Sequence, residues 1–375
     1  MSNSRSWKRI AILVGVVMVS GLILGVRTEA RPGSRTLSEA ALRAKLVNVL
    51  RVKYVIPASV RIAAGPFESS QDPAYYECRI SVTNNGQTKS QVVSIAKDGR
   101  YLGMSPLFYL GPNTRVEVVR SIRTLFKLGS EWQLIAGPLR PSDIPGFYET
   151  TVTAERNGKQ QSENFYVTAD KHFAILGQVY ILRSPAEITR MINTKGQPCS
   201  GPADAPVTIV EYADLECPTC ARLQPFLENT LLPRYRNKVR LIYKDFPLPM
   251  HDWSRKAAVA TMCAFQIDPS AYVRYRSSIF AHQSQINVTN LRDQLLSLGE
   301  AAGIDRLKLA ACIDSNASLP RVLADLREGE QLQVTSTPTC FINGREVVGL
   351  VPDDFYHIID GDLSRDPKRA VRGEK

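Results

Sequence analysis

The stretch "AAGPFESSQDPAYYE" starts at Ala63 and "IAGPLRPSDIPGFYE" starts at Ile135, an offset of 72 residues (135 minus 63). Ala64-Gly65-Pro66 matches Ala136-Gly137-Pro138, Pro73 matches Pro145, and Tyr76-Glu77 matches Tyr148-Glu149. The register runs on without a gap through Asn85-Gly86 and Asn157-Gly158, Asp98 and Asp170, and Leu110 and Leu182. A gapless internal repeat of this length means one supersecondary unit used twice. Each copy opens with an apolar helical segment, 37–54 and then 114–127. Thr36 with Glu39, and Thr114 with Glu117, read as capping boxes. Short alternating strands follow, joined at the Asn-Gly hairpin signals. The expectation is two α+β modules, 37–110 and 111–182, neither of which holds a His/Cys/Asp cluster. Cys78 has no counterpart, because Thr150 takes its place. It reads as a small buried hydrophobe, with a cross-chain disulfide as the alternative.

Ahead of the repeat, residues 10 to 26 form an uncharged run, IAILVGVVMVSGLILGV, preceded by Arg5, Lys8 and Arg9. Basic residues stay on the cytoplasmic side, so the rest of the chain is expected to be exported. Thr28-Glu29-Ala30 is a poor small-x-small cleavage site, which favours an uncleaved anchor over a removed signal peptide within 1–30. Localisation then reads as periplasm or cell envelope, anchored by 10–26, or soluble there if the segment is cleaved. Disulfides persist in such a compartment. Seven cysteines (78, 199, 217, 220, 263, 312 and 340) leave at least one thiol unpaired in a monomer. The net charge of +11 comes without a Lys/Arg block or a nucleic-acid motif, so nucleic acid is not expected as a partner. A solvated basic exterior suits anionic membrane surfaces or acidic clients.

Residues 183–200 read as a connector. From 201 the pattern is a buried strand (207–212), a helix (218–236, with Pro225 a kink point), a second strand (238–246), a helical stretch (252–331), a hairpin turning at Asn343-Gly344 (339–349) and a closing helix (352–360). A polar tail spans 362–375. Cys217 ends the loop after the first strand, and Pro218-Thr219-Cys220 enters the helix. That puts the Cys217 sulfur over free backbone N–H groups at the positive end of the helix dipole. Both favour the thiolate, which is the nucleophile of thiol–disulfide exchange. Cys220, one turn further in, suits a resolving role. A metal site would need a second ligand pair with zinc-like spacing, and none is present. No metal or other cofactor is therefore expected.

"APVTIVEYADLECPTC", then "YKDFPLPMH", and much later "TSTPTCFINGREVVG", resemble the DsbA-like branch of the thioredoxin superfamily over about residues 201–361. The resemblance implies an α/β thioredoxin fold with a helical insertion, behind the two repeat modules and the N-terminal segment. It implies a protein thiol:disulfide oxidoreductase, oxidase or isomerase, with Cys217 and Cys220 catalytic. Thr337 and a cis Pro338 would dock the client chain. Pro218 and Thr219 would tune the potential, and Glu211 would lie as a buried acid below the pair with Lys244 as its partner. Cys263 and Cys312 would clamp the insertion as a structural disulfide. His251 recurs in the family without a catalytic role. Glu216 is expected to face solvent. Cys340 departs from the family pattern; core packing, pairing with Cys199 and a third redox role all stay open. The implied partners are unfolded or partly folded exported proteins with cysteines and a membrane redox recycling partner, with dimerisation through the N-terminal modules a looser analogy. The competing function is an exported chaperone or assembly scaffold in which the redox domain is ancillary.

Overall fold

The computed structural model describes residues 36–57, 59–110, 114–125 and 128–365. They divide into two compact units at Arg183 and Ser184. The apolar run 10–26 lies outside the described residues, and among those described no helix is long and apolar enough to cross a membrane.

The N-terminal unit opens with α1 (Glu39–Lys53), followed by β1 (Arg61–Ser69), β2 (Tyr75–Asn84), β3 (Gln87–Ala96), β4 (Tyr101–Gly103) and β5 (Leu107–Tyr109). Leu42, Leu46 and Leu50 recur every four residues and all are buried, which fixes the face that α1 turns to its sheet. Its N-cap is Ser38, whose side chain accepts from the Ala41 amide, and not the Thr36–Glu39 box read from the sequence. The second copy supplies α2 (Thr114–Leu125), β6 (Gln133–Ala136), β7 (Arg140–Pro141), β8 (Phe147–Arg156), β9 (Lys159–Thr168), β10 (Phe173–Leu176) and β11 (Val179–Ile181). Asn85-Gly86 and Asn157-Gly158 both adopt positive φ at both positions, the primed turn that matches strand twist.

The two copies share atomic detail. Arg51 donates to the carbonyls of Ile56, Pro57 and Val60; Arg123, 72 positions on, donates to those of Leu128, Gly129 and Trp132. Each arginine closes the chain leaving its helix. Cys78 Sγ donates to the Gly65 carbonyl at 3.5 Å, where Thr150 Oγ1 donates to the Gly137 carbonyl at 3.0 Å. Cys78 is therefore a buried structural donor in the place of a threonine hydroxyl.

The sheets interlock across the repeat. Their orders are β1-β2-β3-β4-β11 and β5-β10-β9-β8-β6. At the 72-residue offset β4 corresponds to β10 and β5 to β11. Yet β11 pairs with β4, and β5 pairs with β10. Each copy thus donates its last strand to the other copy's sheet. Gly103 sits where the strands cross, and a Cβ there would come within 2.7 Å of Ile175.

The C-terminal unit begins with α3 (Pro185–Met191), β12 (Cys199–Ser200), β13 (Val207–Ala213), α4 (Pro218–Phe226), a π turn (Leu227–Leu231), α5 (Leu232–Tyr235) and β14 (Val239–Asp245). The helix expected over 218–236 runs unbroken from 218 to 235, and at the kink point Pro225, which lacks an N–H donor, it widens into the π turn. An all-helical insertion follows: α6 (Ser254–Ile267), α7 (Tyr272–Ala281), α8 (Leu291–Ala301), α9 (Arg306–Asp314) and α10 (Leu319–Gln331). The chain then returns as β15 (Thr339–Ile342), β16 (Arg345–Val348) and α11 (Pro352–Arg365). The sheet order is β12-β14-β13-β15-β16, with β13 parallel to β14 and antiparallel to β15. Central β13 (VTIVEYA) is buried along nearly its whole length on both faces, with Glu211 enclosed among apolar neighbours. A disulfide joins Cys263 on α6 to Cys312 on α9 across 49 residues. Chain entropy puts the stabilisation from a loop of that size at about 4 kcal/mol.

Candidate functional site

The site forms at the carboxyl end of β13, where the chain turns into α4. Asp214, 1% exposed, shapes that turn. Its Oδ1 accepts from the Glu216 amide at 2.7 Å, and its Oδ2 accepts from the Leu248 amide and contacts His251 Nδ1, each at 2.7 Å. One carboxylate thus ties the loop before the cysteines to the FPLPMH segment. Glu216 does not face solvent as expected. Its Oε2 accepts from the Trp253 and Ser254 amides and caps the start of α6. The insertion is thereby fastened beside Cys217.

Cys217 is the N-cap of α4 and Pro218 its first residue, where no N–H partner is needed. The Cys217 thiol lies 3.4 Å from the Thr337 carbonyl, to which it donates. Its pKa is lowered to about 5. The largest cause is hydrogen bonding from the Cys220 thiol; burial opposes it, and the Thr337 side chain and the Cys220 and Thr219 amides add to it. Thr337 Oγ1 is buried, and its hydroxyl serves the sulfur once that sulfur becomes an acceptor. Burial and the neighbouring Cys217 sulfur push the Cys220 thiol well up. The two sulfurs are electronically unlike: Cys217 gives up its proton readily, and Cys220 holds its proton. The Thr337-Pro338 bond is cis, as the resemblance implies.

These pKa directions make the reduced form pH-dependent. A thiol whose folded pKa lies below its unfolded value stabilises the reduced fold fully above about pH 8.5, and that stabilisation is lost as pH falls through 5. With Cys220 protonated throughout, reduction takes up two protons below pH 5 and one above it. The reduction potential of the 217–220 couple is expected to fall by about 59 mV per pH unit below pH 5 and about 30 mV above. Equilibration against a glutathione series from pH 4 to 8 checks this; a single slope across the range would contradict the low Cys217 pKa.

The acid below the pair is in place, but its partner is not the expected one. Glu211 is fully buried on β13, and its Oε2 accepts from Arg276 of α7 at 2.9 Å. Lys244 lies on the other face of the sheet and pairs with Asp325 at 2.9 Å and Glu328 at 2.7 Å. The parallel register sets Glu211 beside Tyr243 and Tyr212 beside Lys244, so alternation sends Lys244 away from Glu211. Arg276 also donates to Gln224 and lies 4.9 Å from the centroids of Tyr243 and Phe280. Sequence reading passed over this residue. Its signal was an arginine within the apolar stripe Tyr272, Tyr275, Ile279 and Phe280 of an amphipathic helix. Cys340 is buried opposite Glu211 in the β13–β15 ladder, while Cys199 is exposed, and both are free. Cys340 therefore packs in the core, and the pairing with Cys199 is absent.

Residues 193–361 match a thioredoxin family model, Thioredoxin_4. Among known proteins, the chain is 30% identical over 146 residues to the Na(+)/H(+) antiporter NhaA 3 of Salinispora tropica, covering 39% of this chain and 21% of that one. It is 26% identical over 163 residues to NhaA 1 of Mycobacterium sp. (strain KMS), covering 43% and 26%. The chain therefore spans about a quarter or less of the length of these curated relatives. Similar solved structures include oxidised BdbD from Bacillus subtilis, at 22% identity and TM-score 0.43, covering 46% of this chain and 95% of that one. The catalytic domain of Proteus mirabilis ScsC is another, at 22% identity and TM-score 0.40, covering 48% and 96%. Residues 193–361 are thus similar to the thioredoxin family over the part of the chain that carries the Cys217–Cys220 pair and a helical insertion between β14 and β15.

Proposed function

We propose that the chain is an exported thiol–disulfide oxidoreductase that forms disulfides in cysteine-containing client proteins through the Cys217–Cys220 pair. The observation that carries this reading is the Cys217 sulfur at a helix N-terminus, 3.4 Å from the Thr337 carbonyl and above a buried Cys220. In the oxidised domain a client thiolate attacks Cys217 Sγ and the Cys217–Cys220 bond breaks. A second client thiolate then attacks the client sulfur of the mixed disulfide, and Cys217 leaves. The client gains one disulfide, and the domain holds both electrons as a dithiol until a membrane redox partner reoxidises it.

The low Cys217 pKa favours oxidation over reduction. A stable leaving thiolate is a fast leaving group, and stabilising the reduced domain raises the potential. Thr337 and Pro338 would align an extended client segment. Pro218 and Thr219, inside the pair, would set the potential. Residues 10–26 would hold the domain at the envelope membrane. The sodium–proton antiport named in the relatives is not carried over, because the match covers 21% of the first of them.

The test incubates the oxidised full chain with a reduced, unfolded client and counts client disulfides by alkylation mass shift. Stoichiometric oxidation without added oxidant is the expected result. A client left reduced while the chain stays oxidised would overturn the reading.

A further inference from the structure

Arg276 is a single buried cation serving more than one acid. Glu211 Oε2 accepts from it, and Glu211 Oε1 is buried with no hydrogen-bond partner. Glu228, in the π turn after α4 and only half-buried, meets the side chain of Tyr243, whose ring centroid lies 4.9 Å from the Arg276 guanidinium. Tyr243 Oη donates to Glu228 and is 2.8 Å from Ser200 Oγ on the edge strand. The cluster therefore runs from beneath Cys220, through Glu211 and Arg276, to a carboxyl and two hydroxyls near the surface. Asp245 and Tyr272 also face Arg276, and Asp325 of α10 reaches Asp245 through its backbone amide. Asp245 is fully enclosed at 4% exposure, so it offers no outlet.

We propose that Glu228 is the solvent-side half of a two-carboxyl proton store, coupled to Glu211 through the Arg276 guanidinium, that supplies and takes up the Cys220 proton during exchange. This rests on the oxidoreductase reading above and names how its buried cysteine is charge-balanced. When the Cys217–Cys220 bond breaks, Cys220 leaves as a thiolate and takes the proton of the Glu211 carboxyl. Glu211 becomes an anion and claims the guanidinium. Glu228, losing its share of that cation, binds a proton from solvent. In the reverse step Cys220 gives its proton to Glu211 as it attacks a mixed disulfide, and Glu228 releases one. Two carboxyls beside one cation hold their protons unequally, as like charges in one site must. Burial pushes Glu228 up to about 7, against the pull of Arg276, so its exchange with solvent falls near neutrality. Burial also raises Glu211. Glu228 acts through Glu211 and is a positioning residue, not one that touches the sulfurs.

The test needs no client. The 217–220 disulfide of the full chain is reduced by dithiothreitol from pH 5 to 9, and the rate is read by quenched alkylation. The wild-type rate, corrected for dithiothreitol ionisation, should show an inflection near pH 7. Glu228→Gln should lose that inflection and slow about tenfold at pH 7, while Glu228→Asp retains it. Tyr243→Phe, which removes the hydroxyl link, should shift the inflection and gives an independent reading should Glu228→Gln fold poorly. A Glu228→Gln chain with the wild-type profile would overturn the proposal and leave the oxidoreductase reading intact. A wild-type chain whose disulfide exchanges with no thiol would overturn both.

Discussion

Replacing Cys217 with alanine is expected to lower client oxidation on the order of a thousandfold or more, to the uncatalysed level, because no other thiol can take its place. Cys220 is fully buried with its pKa pushed well up, and Cys340 is likewise enclosed and pushed up by burial, so neither offers a thiolate to a client. Cys199 is exposed, but it stands on the edge strand, away from Thr337 and Pro338. Cys220→Ala should behave differently. Its Cys217 still attacks a client disulfide, but nothing resolves the product, so a mixed disulfide accumulates. The Cys217 pKa should also rise in that variant, because the Cys220 thiol is its strongest stabilising donor. Non-reducing gels of client mixtures and thiolate absorbance at 240 nm read the two effects. A Cys217→Ala chain with substantial oxidase activity would remove the basis for the mechanism.

Arg276→Met is expected to cost about 3–5 kcal/mol of stability at pH 7, the usual penalty for breaking a buried ion pair from one side. The variant strands the Glu211 carboxylate in the interior, along with the Gln224 oxygen that Arg276 also satisfies. Glu211 is already raised by burial, and removing the cation raises it further. A carboxyl whose folded pKa lies above its unfolded value weakens the fold at pH above the unfolded value and relents as pH falls. The loss should therefore be largest at neutral and alkaline pH and shrink toward pH 5. Adding Glu211→Leu should recover much of it, because an apolar pair of similar volume needs no compensation. Urea denaturation at pH 5 and pH 8 for the single and double variants measures both statements. Equal losses at the two pH values would mean that packing around Arg276 matters more than its charge.

Much of the local structure was legible before any coordinates. The Asn-Gly pairs marked three hairpins, each with positive φ at both turn residues, because such turns need residues that tolerate that conformation. The 72-residue offset located two equivalent sets of strands, and the placement of Cys217 and Pro218 at a helix start followed from capping chemistry. The Cys263–Cys312 bond came from the resemblance and is present in the structure. Helix ends were less legible. Ser38, not Thr36, caps α1, because either hydroxyl suits the role and the packing of Leu42 and Leu46 decides the phase.

What the sequence determined by itself was the chemistry available: two thiols across a helix N-terminus, a proline after Thr337, an acid on the strand beneath, and one module written twice. What only the tertiary structure decided was who meets whom. A repeat offset cannot say which copy's strand completes a sheet, and here β5 and β11 trade places. Two strands read separately carry no register, so Lys244 looked available to Glu211 until the parallel pairing turned it to the opposite face. The cation that does reach Glu211 lies 65 residues away on a helix of the insertion. Local propensities act within a few residues, whereas the partner of a buried charge is selected by the packing of whole elements, and a single sequence states that only indirectly.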